Sequence, residues 1–397
     1  MTAAAHLLTL NAGSSSIKFA LFDASGREGA LPVALWVGHA DGLGPGLQAR
    51  LQVRDRQGGR LHDAPLSGAQ ATHSGAIAAL LDWRAQHCDD TPIAGVGHRI
   101  VHGGAEHTHP VRVTEAVLAE LTALEPLAPL HQPHNLAGVR AAIAAFAGVP
   151  QVACFDTAFH ATQPDVNRRF AIPLALHDAG VRRYGFHGLS YESVVAQLGT
   201  LDPALPGGKV VVAHLGNGAS LCAIDAGRSV ATTMSFSPLD GLTMGTRCGH
   251  IDAAAVLYLM QSRGMTAAQV TTLLYRESGL LGLSGVSSDM RALEASAAPG
   301  AALAIDHFVE QVVQQVGAMA AALRGLDALV FTGGIGENAG ALRRRVLAGL
   351  AWMGLDAAAT AAPGPRLTTA DSRVAAWVLK CDEEAMIARH TARVLRH

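Results

Sequence analysis

Leu7-Leu8-Thr9-Leu10-Asn11-Ala12-Gly13-Ser14-Ser15-Ser16-Ile17-Lys18-Phe19-Ala20-Leu21-Phe22 is the stretch on which the fold turns. Two apolar runs flank a cluster of small polar residues, which reads as strand, tight turn, strand. Asp23-Ala24-Ser25-Gly26 supplies the next turn. The first turn gathers backbone N–H groups, three hydroxyls and the Lys18 ammonium. Successive N–H dipoles form a nest that holds anions, so this hairpin suits a phosphate. It is not the Walker pattern, in which Gly-Lys-Ser/Thr opens a helix. A plain serine-rich hairpin is the alternative.

A second copy lies about 200 residues further on. Val210 to Ala213 leads into His214-Leu215-Gly216-Asn217-Gly218, then Ala219 to Ile224 and Asp225-Ala226-Gly227. Both copies share strand, glycine turn, strand, Asp and Gly. Similarity at that distance points to two related α/β halves rather than a short-period solenoid. Two such hairpins facing one another would grip a nucleotide from both sides.

Helices are expected between the strands. Thr266 and Gln269 make a capping box, with Gly279 as the stop. Ile305, Phe308, Val309, Val312, Val313, Val316, Met319, Ala320 and Leu323 follow helical spacing. Asn135 to Ala147, followed by Gly148 and Pro150, is another helix. Asp327 to Thr332 reads as a buried strand. The alternation predicts an α/β protein. Residues 27–75, rich in Gly and Pro, read as hairpins.

With 397 residues, two domains are expected. Hydrophobic residues are 49% and charged residues 16%, enough for sizeable cores. No run reaches the roughly 18 apolar residues of a spanning helix. Met1 to Leu10 has no Lys or Arg before its apolar stretch, unlike a signal peptide. Net charge is −2 without a basic block, so nucleic acid and anionic membranes are not expected partners. Cys88, Cys154, Cys222, Cys248 and Cys381 are scattered and odd in number, which favours a reducing cytoplasm.

Val330-Phe331-Thr332-Gly333-Gly334-Ile335-Gly336-Glu337-Asn338 is a strand, a glycine run and a helix start. Its glycines allow backbone to approach a base or ribose. Arg99 follows an apolar strand within Gly97 to Gly104, and Arg247 lies in the loop Gly245-Thr246-Arg247-Cys248-Gly249-His250. A guanidinium fork suits a carboxylate or a phosphoryl group, whereas either arginine alone reads as a surface ion-pair partner. His98 and His102 are four apart, but Gly103-Gly104 would break the helix that a zinc pair needs. Cys154 sits in an apolar stretch and reads as core.

Taken together, NAGSSSIK, GHRIVHGG, LAPLHQPHN, FDTAFH, RRYGFHGLS, HLGNGAS, PLDGLTMGTRCG, FTGGIGEN and the terminal DEE segment resemble the acetate/propionate kinase family. The match runs from Asn11 to Glu384. The resemblance implies two related domains of the actin-like ATPase/sugar-kinase type, with the active site in the interdomain cleft. The first would span 1–155, with the helix 384–397 returning to it, and the second 156–383. It also implies a homodimer.

Position by position, the resemblance implies a magnesium site at Asn11 and Glu383, with Mn²⁺ able to substitute. ATP or ADP would be bound by Lys18, by His214, Leu215, Gly216, Asn217 and Gly218, by Asp289, Met290 and Arg291, and by Gly334, Ile335, Gly336, Glu337 and Asn338. Arg99 would bind the carboxylate of acetate or a short-chain acid, with His131 beside it. Asp156 would be the catalytic acidic residue, near the metal and the transferring group, and His187 and Arg247 would stabilise the transition state. Val101, Leu130, Phe186 and Pro238 would hold the methyl group. Gln132, Met290, His250, Ala253 and Cys381-Asp382 depart from the commonest family pattern.

The chemistry suits these residue types. A carboxylate is already a nucleophile, so the barrier lies in aligning two anions and spreading charge over a transferring phosphoryl group. The implied activity is reversible phosphorylation of acetate to acetyl phosphate by direct in-line transfer. The alternatives are a propionate or butyrate kinase of the same family, an actin- or chaperone-like ATPase module, and a metal hydrolase built on the histidines. An ATPase module would not need two arginines, a histidine and an apolar pocket for a small acid.

Overall fold

The structure, a computed structural model, describes residues 5–13, 15–24, 31–44, 47–87, 91–356 and 364–396. Ser14 of the first turn, Ser25 and Gly26, Cys88, and residues 27–30 and 45–46 of the predicted hairpin region lie outside them. The chain divides into two compact units, Met1–Phe159 with Asp382–His397, and His160–Cys381.

The first unit is built on an eight-stranded sheet. Its strands are β1 (His6–Ala12), β2 (Ser16–Asp23), β3 (Ala34–Asp41), β4 (Arg50–Asp55), β5 (Arg60–Pro65), β6 (Ile93–Ile100), β7 (Val111–Arg112) and β8 (Gln151–Phe155). Their order is β5-β4-β3-β2-β1-β6-β8-β7. The region that reads as hairpins is an antiparallel meander of β2 to β5. Phe19, Trp36 and Trp83 anchor the core there, meeting edge to face at 5.9 and 5.5 Å.

The final helix, Glu383–Arg396, lies on β1 and β6. Glycines in β6 admit it. A methyl group on Gly97 would stand 2.2 Å from Thr391 Oγ1, and one on Gly95 2.4 Å from Leu395.

The second unit holds a five-stranded sheet, β9 (Lys209–Leu215), β10 (Ala219–Asp225), β11 (Arg228–Thr232), β12 (Ala328–Thr332) and β13 (Ala375–Val378). The order is β11-β10-β9-β12-β13. The stretch β3-β2-β1-β6-β8 of the first sheet repeats it strand for strand. In both, the hairpin strands are antiparallel, and the next two pairings are parallel. The duplicated sequence pattern is therefore a duplicated topology. β12 is buried along its whole length, which explains its unbroken apolar run.

Two helix boundaries differ from expectation. The helix expected over Asn135–Ala147 runs Gln132–Ala145, because Pro133 in its first turn starts rather than blocks a helix. The capping box of Thr266 and Gln269 is present, but the helix Ala267–Arg276 stops before Gly279. Gly279 instead opens the helix Gly279–Ser284 at φ +64°. A methyl group there would lie 2.2 Å from the Met244 carbonyl oxygen, so glycine is required by packing. The periodic segment from Ile305 forms the later turns of the helix Pro299–Leu323.

Candidate active site

In the first unit, β1, β6 and β8 run parallel side by side, so residues at their C-terminal ends are neighbours. Asn11 comes from β1, Arg99 from β6, and Asp156 follows β8. Asp156 N–H donates to the Ile100 carbonyl at 3.0 Å, which extends the ladder one step and aims its side chain at Arg99. Arg99 Nε donates to both Asp156 oxygens at 3.1 Å, and Nη2 donates to Oδ2 at 2.6 Å. Arg99 Nη1 reaches Asn11 Oδ1 at the longer distance of 3.3 Å. Glu383, at the start of the final helix, lies 3.7 Å from Arg99 Nε.

Burial opposes the Arg99 charge, but Asp156, Glu383 and Glu384 outweigh it and raise the guanidinium pKa. Glu384 is pushed up by burial and by the charge of Glu383. Lys18 pairs across the hairpin with Asn11 and is exposed.

These oxygen donors, an amide carbonyl and two carboxylates around one cation, are the hard set that magnesium takes. The residues present therefore fit that ion.

Two buried amides, Asn135 and the pattern-departing Gln132, organise this end of the unit. Asn135 Oδ1 accepts from Val101 N–H at 2.9 Å, and its Nδ2 donates to the Ala12 carbonyl at 2.6 Å. Gln132 is wholly buried, accepts from His102 N–H at 3.3 Å and donates to the His102 carbonyl at 3.0 Å. Their signal was present as polar residues spaced three apart at a helix start. Leu130 and His131, just before that helix, are half-buried.

Val101 is buried, but it lies one residue beyond the end of β6. An amide side chain, not a ladder partner, fixes its backbone. His98 Nε2 donates to Gln151 Oε1, 2.7 Å away, and burial pushes its pKa down to about 4. His102 Nδ1 accepts from Gly104 N–H at 2.9 Å. Cys154 is buried in β8.

In the second unit, the end of β9 and the β9–β10 turn carry His214 to Gly218. A methyl group on Gly218 would lie 2.7 Å from Arg247 Nη2 and 3.2 Å from His187 Nε2, so both side chains close over that turn. Arg247 Nη1 donates to the Pro238 carbonyl at 2.6 Å. Asn217 accepts Gly245 N–H at its carbonyl, 3.1 Å away, which ties the arginine loop to the turn. His187 and His214 stack at 4.3 Å between centroids. His187 has φ 59°, an uncommon conformation for a non-glycine residue, immediately before the helix Gly188–Leu201.

Phe186 is buried and Pro238 is buried beside the arginine it accepts from. Glu337 accepts from Gly333 N–H at 3.1 Å, and Asn338 Nδ2 donates to the Gly334 carbonyl at 2.8 Å. These side chains shape the glycine run, while Gly334 itself is exposed and Ile335 half-buried. Gly336 is buried against the backbone of β9 and β12. Asp289 and Arg291 pair with each other at 2.6 Å. Met290 between them is buried.

The sequence model of the acetokinase family matches residues 6–389. An acetate kinase of Methylocella silvestris is 50% identical, over 98% of this chain and 98% of that protein. A propionate kinase structure from Francisella tularensis is 34% identical, covers 98% of this chain and 100% of its own, and has a TM-score of 0.90. A Porphyromonas gingivalis acetate kinase structure is 36% identical with a TM-score of 0.87, covering 99% and 100%.

Proposed function

Because the chain belongs to the acetokinase family, we propose that it transfers the γ-phosphoryl group of ATP reversibly to acetate, forming acetyl phosphate and ADP. The observation that carries the reading is the closure of Arg247 and His187 over the glycine turn at Gly218. A cation and a ring N–H beside a phosphate-binding turn are what a transferring phosphoryl group requires.

Arg99 takes the acid. Asp156 anchors two nitrogens of its fork, and Nη1, held only by the longer contact to Asn11, turns to the substrate carboxylate. One carboxylate oxygen attacks the γ-phosphorus in line, the bond to the β–γ bridging oxygen breaks, and ADP leaves with that electron pair. No phosphoenzyme is formed. Arg247 and His187 take up charge on the equatorial oxygens. Val101 and Leu130 exclude water around the methyl group. Lys18, the turn His214–Gly218, the Asp289–Arg291 segment and Gly334–Asn338 bind the nucleotide.

Asn11, Asp156 and Glu383 would hold magnesium, directly or through water. When bound, the ion neutralises phosphate charge and sets the phosphates in register.

Acetate is favoured over propionate because relatives at about half identity are acetate kinases, whereas the propionate kinase structure stands at 34%. The chain acts as a cytoplasmic homodimer. The helix Ala253–Gln261 buries no residue, and its Leu257 and Tyr258 are more than half exposed, an apolar face open to a second copy. No described helix is long and apolar enough to cross a membrane.

Hydroxylamine trapping of acyl phosphate with acids from formate to butyrate tests the activity. Acetate is expected to give the highest kcat/KM. ATP hydrolysis without acyl hydroxamate from any acid would remove the reading. Light scattering tests the dimer.

A further inference from the structure

His187 lies over a cross-strand pair. His214 in β9 and Ser220 in β10 are register partners, so their side chains share a face of the sheet. His187 stacks on the first and bonds the second, with Nδ1 2.9 Å from Ser220 Oγ. Ser220 Oγ is in turn hydrogen-bonded to the Tyr191 hydroxyl. Ser220 and Tyr191 are both wholly buried. Tyr191 sits on the first turn of the helix that His187 precedes, and its N–H donates to the His187 carbonyl at 3.1 Å. The neighbouring Ser190 makes the same kind of contact with His214 Nδ1, at 2.8 Å.

The phenol is the more acidic of the two hydroxyls, so it is the better donor. We infer that Tyr191 and Ser220 form a buried positioning relay that fixes the tautomer and direction of the His187 ring. Tyr191 donates to Ser220 Oγ, and Ser220 directs its own hydrogen at His187 Nδ1. The ring then carries its hydrogen on Nε2, the atom that faces Gly218 and Arg247. Without the relay the ring flips or changes tautomer and presents no donor there. The left-handed backbone at His187 is the second constraint. His160 supports it by donating from Nε2 to the Phe186 carbonyl at 2.9 Å, and Ser229 Oγ holds its other nitrogen at 2.9 Å.

The inference rests on the proposed phosphoryl transfer for its kinetic test, and has a second readout that does not. Tyr191→Phe removes only the hydroxyl, and Ser220→Ala removes the link itself. Each is expected to lower kcat by about tenfold to a hundredfold, the range for a small misplacement of a reacting group. The KM values for ATP and acetate are expected to stay within about threefold, because the relay acts through His187 alone. In a His187→Ala background neither substitution has a further effect, as a double-mutant cycle requires of residues acting through one another. Equal losses in both backgrounds would overturn the relay.

Histidine-selective ¹⁵N spectra, with the His187 signals identified by their loss in His187→Gln, report the tautomer without any substrate. The Nε2–H form is expected to dominate in the unsubstituted protein and to fall in Tyr191→Phe. An unchanged tautomer with unchanged kcat in Tyr191→Phe would also overturn the relay, even if Ser220→Ala does not fold. An unsubstituted protein that makes no acetyl phosphate would remove the proposed activity and leave the spectroscopic test standing.

Discussion

Asp156 holds Arg99 by two nitrogens of the same fork, and the Asp156 side chain is 1% exposed against 25% for Arg99. The acid is sealed beneath the guanidinium, and the guanidinium keeps an open edge. Each therefore depends on the other, one for charge compensation and one for direction.

Arg99→Ala should thus lose both activity and stability. Removing one partner of a buried pair costs about 3–5 kcal/mol, because the remaining charge stays buried. Loss of a charge-stabilising donor in a closed site lowers the rate by about 10²–10³. Arg99→Lys restores part of the melting temperature but not the rate, since a lysine has no fork. Asp156→Asn keeps the shape, retains ATP binding, loses most of kcat and changes the magnesium requirement. Near-normal kcat in Arg99→Ala, or an unaltered magnesium titration in Asp156→Asn, would contradict these roles.

Gly218→Ala places a methyl group 2.7 Å from Arg247 Nη2 and 3.2 Å from His187 Nε2. Nothing in the backbone forbids alanine there, because Gly218 does not have positive φ. The arginine end gives way before the sheet does. We expect a folded protein with kcat lowered by about tenfold or more, consistent with the cost of misplacing a reacting group. Circular dichroism and steady-state kinetics on the same sample check it. A fully active Gly218→Ala protein would separate the turn from the chemistry.

Val101→Ala enlarges the apolar space at the buried residue whose N–H Asn135 holds. One methylene in such a pocket is worth about 1–3 kcal/mol of discrimination. The ratio of kcat/KM for propionate to that for acetate should rise by about tenfold or more. Collapse of the surrounding core would lower both values together, so the ratio decides. An unchanged ratio in an active protein places the chain-length limit elsewhere.

Three buried histidines give the protein an acid-sensitive stability. Burial pushes His98, His102 and His160 down to about 4, against 6.5 for the exposed imidazole. Between those values the unfolded chain binds more protons than the folded one, so stability falls as pH drops from about 6.5 toward 4. Glu384 is shifted up and works in the opposite sense, as one carboxyl against three imidazoles. Ordinary carboxylates titrate below about 5, so the window from pH 6.5 to 5 belongs to the histidines. Melting temperature should fall by several degrees across that window. A flat profile there would mean that these rings are charged in the folded state.

Much of the site was legible along the chain, because its parts lie in short contiguous motifs. The serine turn, the glycine turn at His214–Gly218 and the run at Gly333 are local backbone chemistry, and local chemistry is written in adjacent residues. The bonding roles of Asn135 and Gln132 were hidden because their partners, Val101, Ala12 and His102, are remote in sequence. Tyr191 and Ser220 were hidden for the same reason, lying on a helix and a strand whose approach no spacing rule describes. Gly279 misled because a glycine after a helix signals a stop, whereas this one is selected by the nearby Met244 carbonyl.

The sequence by itself determined the duplicated strand–turn–strand plan, the alternation of strands and helices, and which residue types carry the chemistry. Hydrophobic period and turn composition act over a few residues, so one dimension is enough to read them. The tertiary structure alone decided that Asn11, Arg99 and Asp156 end adjacent parallel strands, and that His187 rests on the pair His214 and Ser220. Strand order and register join residues far apart in the chain, and the energy that selects them is packing and buried hydrogen bonding, which has no period to read.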